Sequence, residues 1–221
     1  MGELSLESPA PAPGIDLAGR AVPRQRRAIE RREAILQAML SLLAERDLDE
    51  ISTTLVAARA GVPVASVYRY FPNKFAILSE LARDAMDGVD SQLEAVMVTG
   101  TDRDSIASAI DRSIDTVLAG YRGVAGLRRL FHNIRLSAAL EAVLVASDER
   151  MITAMAALLA GLRPDLPALH VTAIARTTVH AFTQVQMQAI ACEDPALYPL
   201  LIVEWRRLIK SYLLPHAAPD L

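Results

Sequence analysis

Gly61, Pro63 and Pro72 leave the chain between Ser52 and Asn73 little choice: it can form two short helices and a tight corner between them. The first of the two is TTLVAARA. Ser52 precedes it as an N-cap whose hydroxyl accepts from a first-turn amide, and Gly61 ends it because glycine takes the left-handed conformation at no steric cost. Pro63 suits a first helical position, where its missing N–H is not needed, so the next helix runs through VASVYRYF until Pro72 breaks it. In that helix Val64, Val67 and Phe71 lie at i, i+3 and i+7 and are expected to face inward, with Ala65, Ser66, Arg69 and Tyr70 facing outward. Small residues at its start give clearance for entry into a DNA major groove about 12 Å wide. Arg69 can then reach a base edge or a phosphate, and the phenols of Tyr68 and Tyr70 can hydrogen-bond phosphate oxygens. Lys74 adds positive charge to the start of the following helix, an end that already favours anions.

Helical periodicity continues on both sides of this unit. In AIERREAILQAMLSLLAERD, the residues Ile35, Met39, Leu42 and Leu43 form one apolar stripe, which predicts an amphipathic first helix from about Ala28. After Pro72, Asn73 can cap a long fourth helix carrying Phe75, Leu78, Ala82, Ala85, Val89, Leu93 and Val96 on one face. Beyond residue 98 no stretch alternates like a strand. Five further segments, 105–123, 124–136, 139–162, 168–191 and 197–214, read as helices separated by Gly123, Ser137, Pro164 with Pro167, and Asp194-Pro195. The expectation is an all-α chain of about nine helices. Charge divides it further. Residues 20–33 hold six arginines against two glutamates, whereas residues 84–221 hold 12 basic and 16 acidic side chains, so a polyanion contact belongs near the N-terminus. Residues 1–23, rich in Pro, Ala and Gly, read as a disordered arm, 24–88 as a helix-turn-helix domain, and 89–221 as a second helical domain.

The stretch from about Ala28 to Met86 resembles the DNA-binding domain of the tetracycline-repressor (TetR) family. The residues that carry the resemblance are Ala60-Gly61-Val62, the run Tyr68-Arg69-Tyr70-Phe71, and Lys74. One departure is Pro63, where the family commonly places a serine that caps the recognition helix. The resemblance implies that Thr53, Thr54, Ser66, Tyr68, Arg69, Tyr70 and Lys74 touch DNA, with base discrimination resting on Ala65, Ser66 and Arg69. It also implies a homodimer built through the last two helices, a pseudo-palindromic double-stranded operator, and repression released by a small molecule. Arg20 to Arg32 are expected as an arm along the backbone or minor groove.

Pattern alone adds less in the second domain. The helix over 168–191 is apolar on more than one face, so one side can pack in its own bundle and the other, with Leu200, Leu201, Val203, Leu208, Ile209 and Tyr212, on a second subunit. A fully internal helix fits the same pattern. Polar groups among apolar walls mark a cavity for an apolar effector, and the candidates are Phe131, His132, Arg135, Met155, Phe182 and Gln186. No nucleophile-and-base constellation points to catalysis, and no metal or cofactor is expected. The four histidines lack i, i+4 pairing, and the single Cys192 has no partner at zinc-ligand spacing. One cysteine, no apolar run of about 20 residues, and an acidic N-terminus without a leader's apolar stretch are together expected of a cytoplasmic protein.

Overall fold

The computed structural model describes residues 26–97, 100–121, 126–132 and 138–218. The expected arm, residues 1–23, lies outside them. Among the described residues nine α-helices follow one another without a strand: α1 Arg26–Glu45, α2 Thr53–Ala60, α3 Val64–Tyr70, α4 Lys74–Met97, α5 Arg103–Tyr121, α6 Leu127–His132, α7 Ala138–Leu162, α8 Ala168–Ala191 and α9 Leu197–Ala217. A single 3-10 turn, Leu48–Glu50, joins α1 to α2.

The local signals act where expected. Ser52 caps α2 by accepting from the Leu55 amide at 3.1 Å, Gly61 closes it at φ 66°, and the Asn73 side chain accepts from the Ala76 amide at 3.0 Å to start α4. Pro63 stands one position earlier than expected. It is the N-cap of α3, extended at ψ 143°, and its carbonyl accepts from the Ser66 amide at 2.8 Å. A proline side chain offers no acceptor, so α3 begins without a side-chain cap.

Two cores result. The first joins α1 to α4 through Ile35, Met39, Leu42, Leu43, Val67, Phe71, Ile77 and Leu78, and it also takes in Leu127, Leu130 and Phe131 of α6 with Leu140 and Leu144 of α7. The second, around Ile114, Val117, Ile174 and Trp205, is shared by α4, α5, α7, α8 and α9. Helix α4 serves both. The expected boundary at residue 88 therefore falls inside one continuous helix, and α6 and the start of α7 pack back onto the first unit. Polar ties fix the arrangement. Arg59 donates to both carboxylate oxygens of Glu45, holding α2 on α1, and Arg32 of α1 pairs with Glu80 of α4 while lying over the Phe71 ring. Helices α5 and α9 run antiparallel, since Arg206 reaches Asp115, Lys210 reaches Asp111, and Arg103 reaches the Ala218 carbonyl.

Candidate functional site

Helix α3 is held from behind by Val67 and Phe71, both fully buried, which leaves its opposite flank free. On that flank Ala65, Tyr68 and Arg69 are exposed and Ser66 is half-buried. Tyr68 is 47% exposed, and its hydroxyl lies 2.9 Å from the Thr53 hydroxyl at the first turn of α2. That bond sets two polar groups from different helices side by side on one surface, with exposed Thr54 beside them. The helix N-terminus of α2 lends the same place a partial positive charge.

Tyr70 does not belong to this surface. It is only 5% exposed and sits in the first core, because a position three residues after Val67 returns to the inner face of a helix. The expectation of an outward phenol is corrected. Lys74 is partly committed as well: its Nζ donates to the Leu48 carbonyl at 2.8 Å and lies near the Phe75 ring. Of the arginines expected in an arm, Arg27 and Arg31 are exposed on α1, whereas Arg32 is tied down by Glu80 and Phe71. Helix α1 begins at Arg26, so these residues stand on a helix face rather than on an extended segment.

The second unit holds a partly open cavity running along α4. At its end nearest the first core it is lined by Met86, Tyr121, Leu144 and Gln186, and at the other by Met97, Gly100, Leu162 and Ala217. Met86 and Leu144 thus belong at once to the cavity wall and to the core behind α3. Met155, Phe182 and Gln186 line it, as expected. Phe131 does not; its ring packs edge-on against Tyr121, 4.8 Å between centroids, and is buried in the first core. Arg135 and the His132 side chain lie outside the described residues.

Several polar lining groups were not foreseen. Gln186 donates to the Tyr121 hydroxyl at 3.1 Å, and burial pushes the Tyr121 hydroxyl far up. Ser147 donates to both oxygens of Asp90, and Arg150 reaches Asp90 and Asp87 from outside. Thr183 donates to Asp148. Burial raises the Asp90 and Asp148 carboxyls above the usual carboxylate range. A signal for Asp90 was legible: it falls on the apolar stripe of α4, between Met86 and Leu93. Among the described residues no group of His, Cys, Asp or Glu is arranged to hold a metal ion, and no helix is long and apolar enough to cross a membrane.

Apolar side chains also reach the surface. Leu197, Leu200, Val203 and Leu208 of α9 and Leu169 of α8 are exposed, Leu200 to 61%. Val171, Ile174, Ala175 and Val179 of α8 turn into their own bundle, so the second apolar face lies on α9 more than on α8. Ile209, expected on it, is buried in the bundle.

Comparison with known proteins agrees with this layout. Residues 35–81 match the family described as bacterial regulatory proteins, tetR family, and residues 105–213 match the tetracyclin repressor-like C-terminal domain. The nucleoid occlusion factor SlmA of Shewanella frigidimarina is 36% identical over 69 residues, 31% of this chain and 35% of that protein. The HTH-type transcriptional repressor KstR of Rhodococcus jostii is 42% identical over 64 residues, 28% of this chain and 30% of that one. The match thus spans about a third of the length of these curated relatives. A TetR-family transcriptional regulator from Streptomyces coelicolor superposes with a TM-score of 0.59 at 25% identity, covering 83% of this chain and 97% of that structure. The fatty acid degradation regulator FadR of Bacillus halodurans shares the fold at a TM-score of 0.61 and 15% identity, with coverage of 81% and 94%.

Proposed function

The chain belongs to the TetR family of bacterial transcriptional regulators, and from that premise we propose that it represses transcription as a homodimer on a pseudo-palindromic operator and is released by a small molecule in the α4–α9 cavity. The observation that carries the reading is the double membership of Met86 and Leu144, which line the cavity and also pack in the core that backs α3. A molecule that fills the cavity presses on side chains of the same core that takes in Val67 and Phe71 behind the recognition helix. The effect is a population shift: the bound form disfavours the spacing of two α3 helices that fits two half-sites. Ala65, Ser66 and Arg69 read bases, while Thr53, Thr54, Tyr68 and Lys74 hold phosphates. The similarity to a repressor, KstR, supports negative regulation.

A second reading has its own support. It is a DNA-binding regulator or architectural protein with no small-molecule inducer, and the similarity to SlmA, named a nucleoid occlusion factor and not a repressor, is in its favour. Duplex selection from a random library with the full chain, followed by footprinting, tests the DNA part. Two protected half-sites related by a two-fold and centred about one helical turn apart, or a multiple of it, are expected. No enrichment, or a single unpaired site, contradicts the dimeric regulator. Native mass spectrometry of the purified protein then separates the two readings: a retained small molecule supports the repressor with an effector, and an empty dimer favours the second.

A further inference from the structure

We propose that the cavity takes an elongated apolar molecule bearing one cationic nitrogen, and that Asp148 holds that nitrogen. The inference rests on the cavity being the effector site. It adds the chemical class of the occupant.

The two carboxylates in the cavity wall are not equivalent. Asp90 accepts from Ser147 Oγ at 2.9 and 2.8 Å and from the Arg150 guanidinium at 2.7 Å, so its charge is met within the protein. Asp148 accepts from Thr183 Oγ1 at 2.8 Å and has His180 Nδ1 3.3 Å from its other oxygen. Among the described residues no arginine or lysine pairs with it. Its side chain is only 13% exposed. A carboxylate so far withdrawn from water, with neither an arginine nor a lysine beside it, costs free energy that an incoming cation recovers. The upward displacement of its titration by burial agrees with that deficit.

The rest of the lining selects for the same class. None of the described lining residues is a lysine, arginine or histidine, so an anionic head group meets only like charge and uncharged dipoles. Met151 and Met155, one and two turns beyond Asp148 along α7, begin an apolar wall that continues to Leu159 and Leu162. An extended hydrocarbon fits there. A head group at Asp148 then stands at the level of Ser147 and Asp90, where α7 is tied to α4.

Calorimetric titration of the full chain, without DNA, with n-decylammonium, decanol and decanoate tests this. Decylammonium is expected to bind tightest. Asp148→Asn is expected to weaken decylammonium about tenfold or more and to leave decanol within about twofold. Its melting temperature equal to or above that of the parent shows that the variant folds. Decanoate binding as tightly as decylammonium, or an unchanged decylammonium affinity in the variant, overturns the assignment to Asp148. Binding of decanol or decanoate alone does so too, yet leaves an effector cavity standing. Failure of all three probes counts against the cation and the cavity together.

Discussion

Tyr68 carries its hydroxyl next to that of Thr53 on the open flank of α3, whereas Tyr70, two residues on, is enclosed with Val67 and Phe71 in the first core. Opposite outcomes follow on truncation. Tyr70→Ala removes a buried aromatic and is expected to cost about 3 kcal/mol or more, seen as a drop of about 6 °C or more in melting temperature. Tyr68→Ala is expected to leave the melting temperature within about 2 °C and to weaken binding to every duplex several-fold, measured by fluorescence anisotropy. Gly126 is the other position where one atom decides. It sits at φ 90°, and an added Cβ would come within 2.2 Å of the Leu40 carbonyl oxygen of α1. Gly126→Ala therefore meets both a strained backbone and a backbone clash, and a loss of about 2 kcal/mol or more in chemical denaturation is expected. Spacing held the answer for Tyr70, three residues after Val67, but its phenol and the neighbouring Arg69 suggested the open flank. The closeness of Gly126 to α1 depends on how α6 folds back and could not be read from spacing.

Elements were more legible than residues, because their ends depend on chemistry local to the chain. Ser52, Gly61 and Asn73 act at the expected termini, and Ser52→Ala is expected to lower stability by about 1 kcal/mol through the lost bond to the Leu55 amide. The cavity was less legible. Helices α7 and α8 are apolar over most of their circumference, so periodicity cannot tell a side chain facing a void, such as Met155, from one packed solid, such as Leu140. What did stand out too little was the pair Ser147-Asp148 interrupting the apolar run of α7. Burial raises the Asp148 carboxyl in the folded chain above its unfolded value, so the folded state keeps that proton to higher pH. The sign is then fixed: stability from this group falls as pH rises through the interval between the unfolded and folded values, and the penalty persists at neutral pH. Asp148→Asn removes it while an amide oxygen can still accept from Thr183, so ligand-free melts at pH 7 are expected at equal or higher temperature, with the gain fading toward pH 4.

At the scale of the whole molecule the reading head and the cavity are one mechanical object, since α4 begins at Lys74 beside α3 and ends at Met97 in the cavity wall. The apolar outer face of α9 gives the proposed two-fold its surface. Leu200→Glu combined with Val203→Glu is expected to yield a monomer by sedimentation and to weaken operator binding far more than either half-site contact alone would, because paired half-sites act through effective concentration. DNA recognition by α3 is tested most directly by titration of Arg69→Ala and Lys74→Ala against a selected duplex and its scrambled counterpart. Arg69→Ala is expected to narrow the affinity ratio between the two duplexes about tenfold, and Lys74→Ala to lower both affinities alike and flatten the salt dependence by about 0.9 in log-log slope. Unchanged affinities in both variants, with the fold intact, would contradict the placement of DNA on this helix.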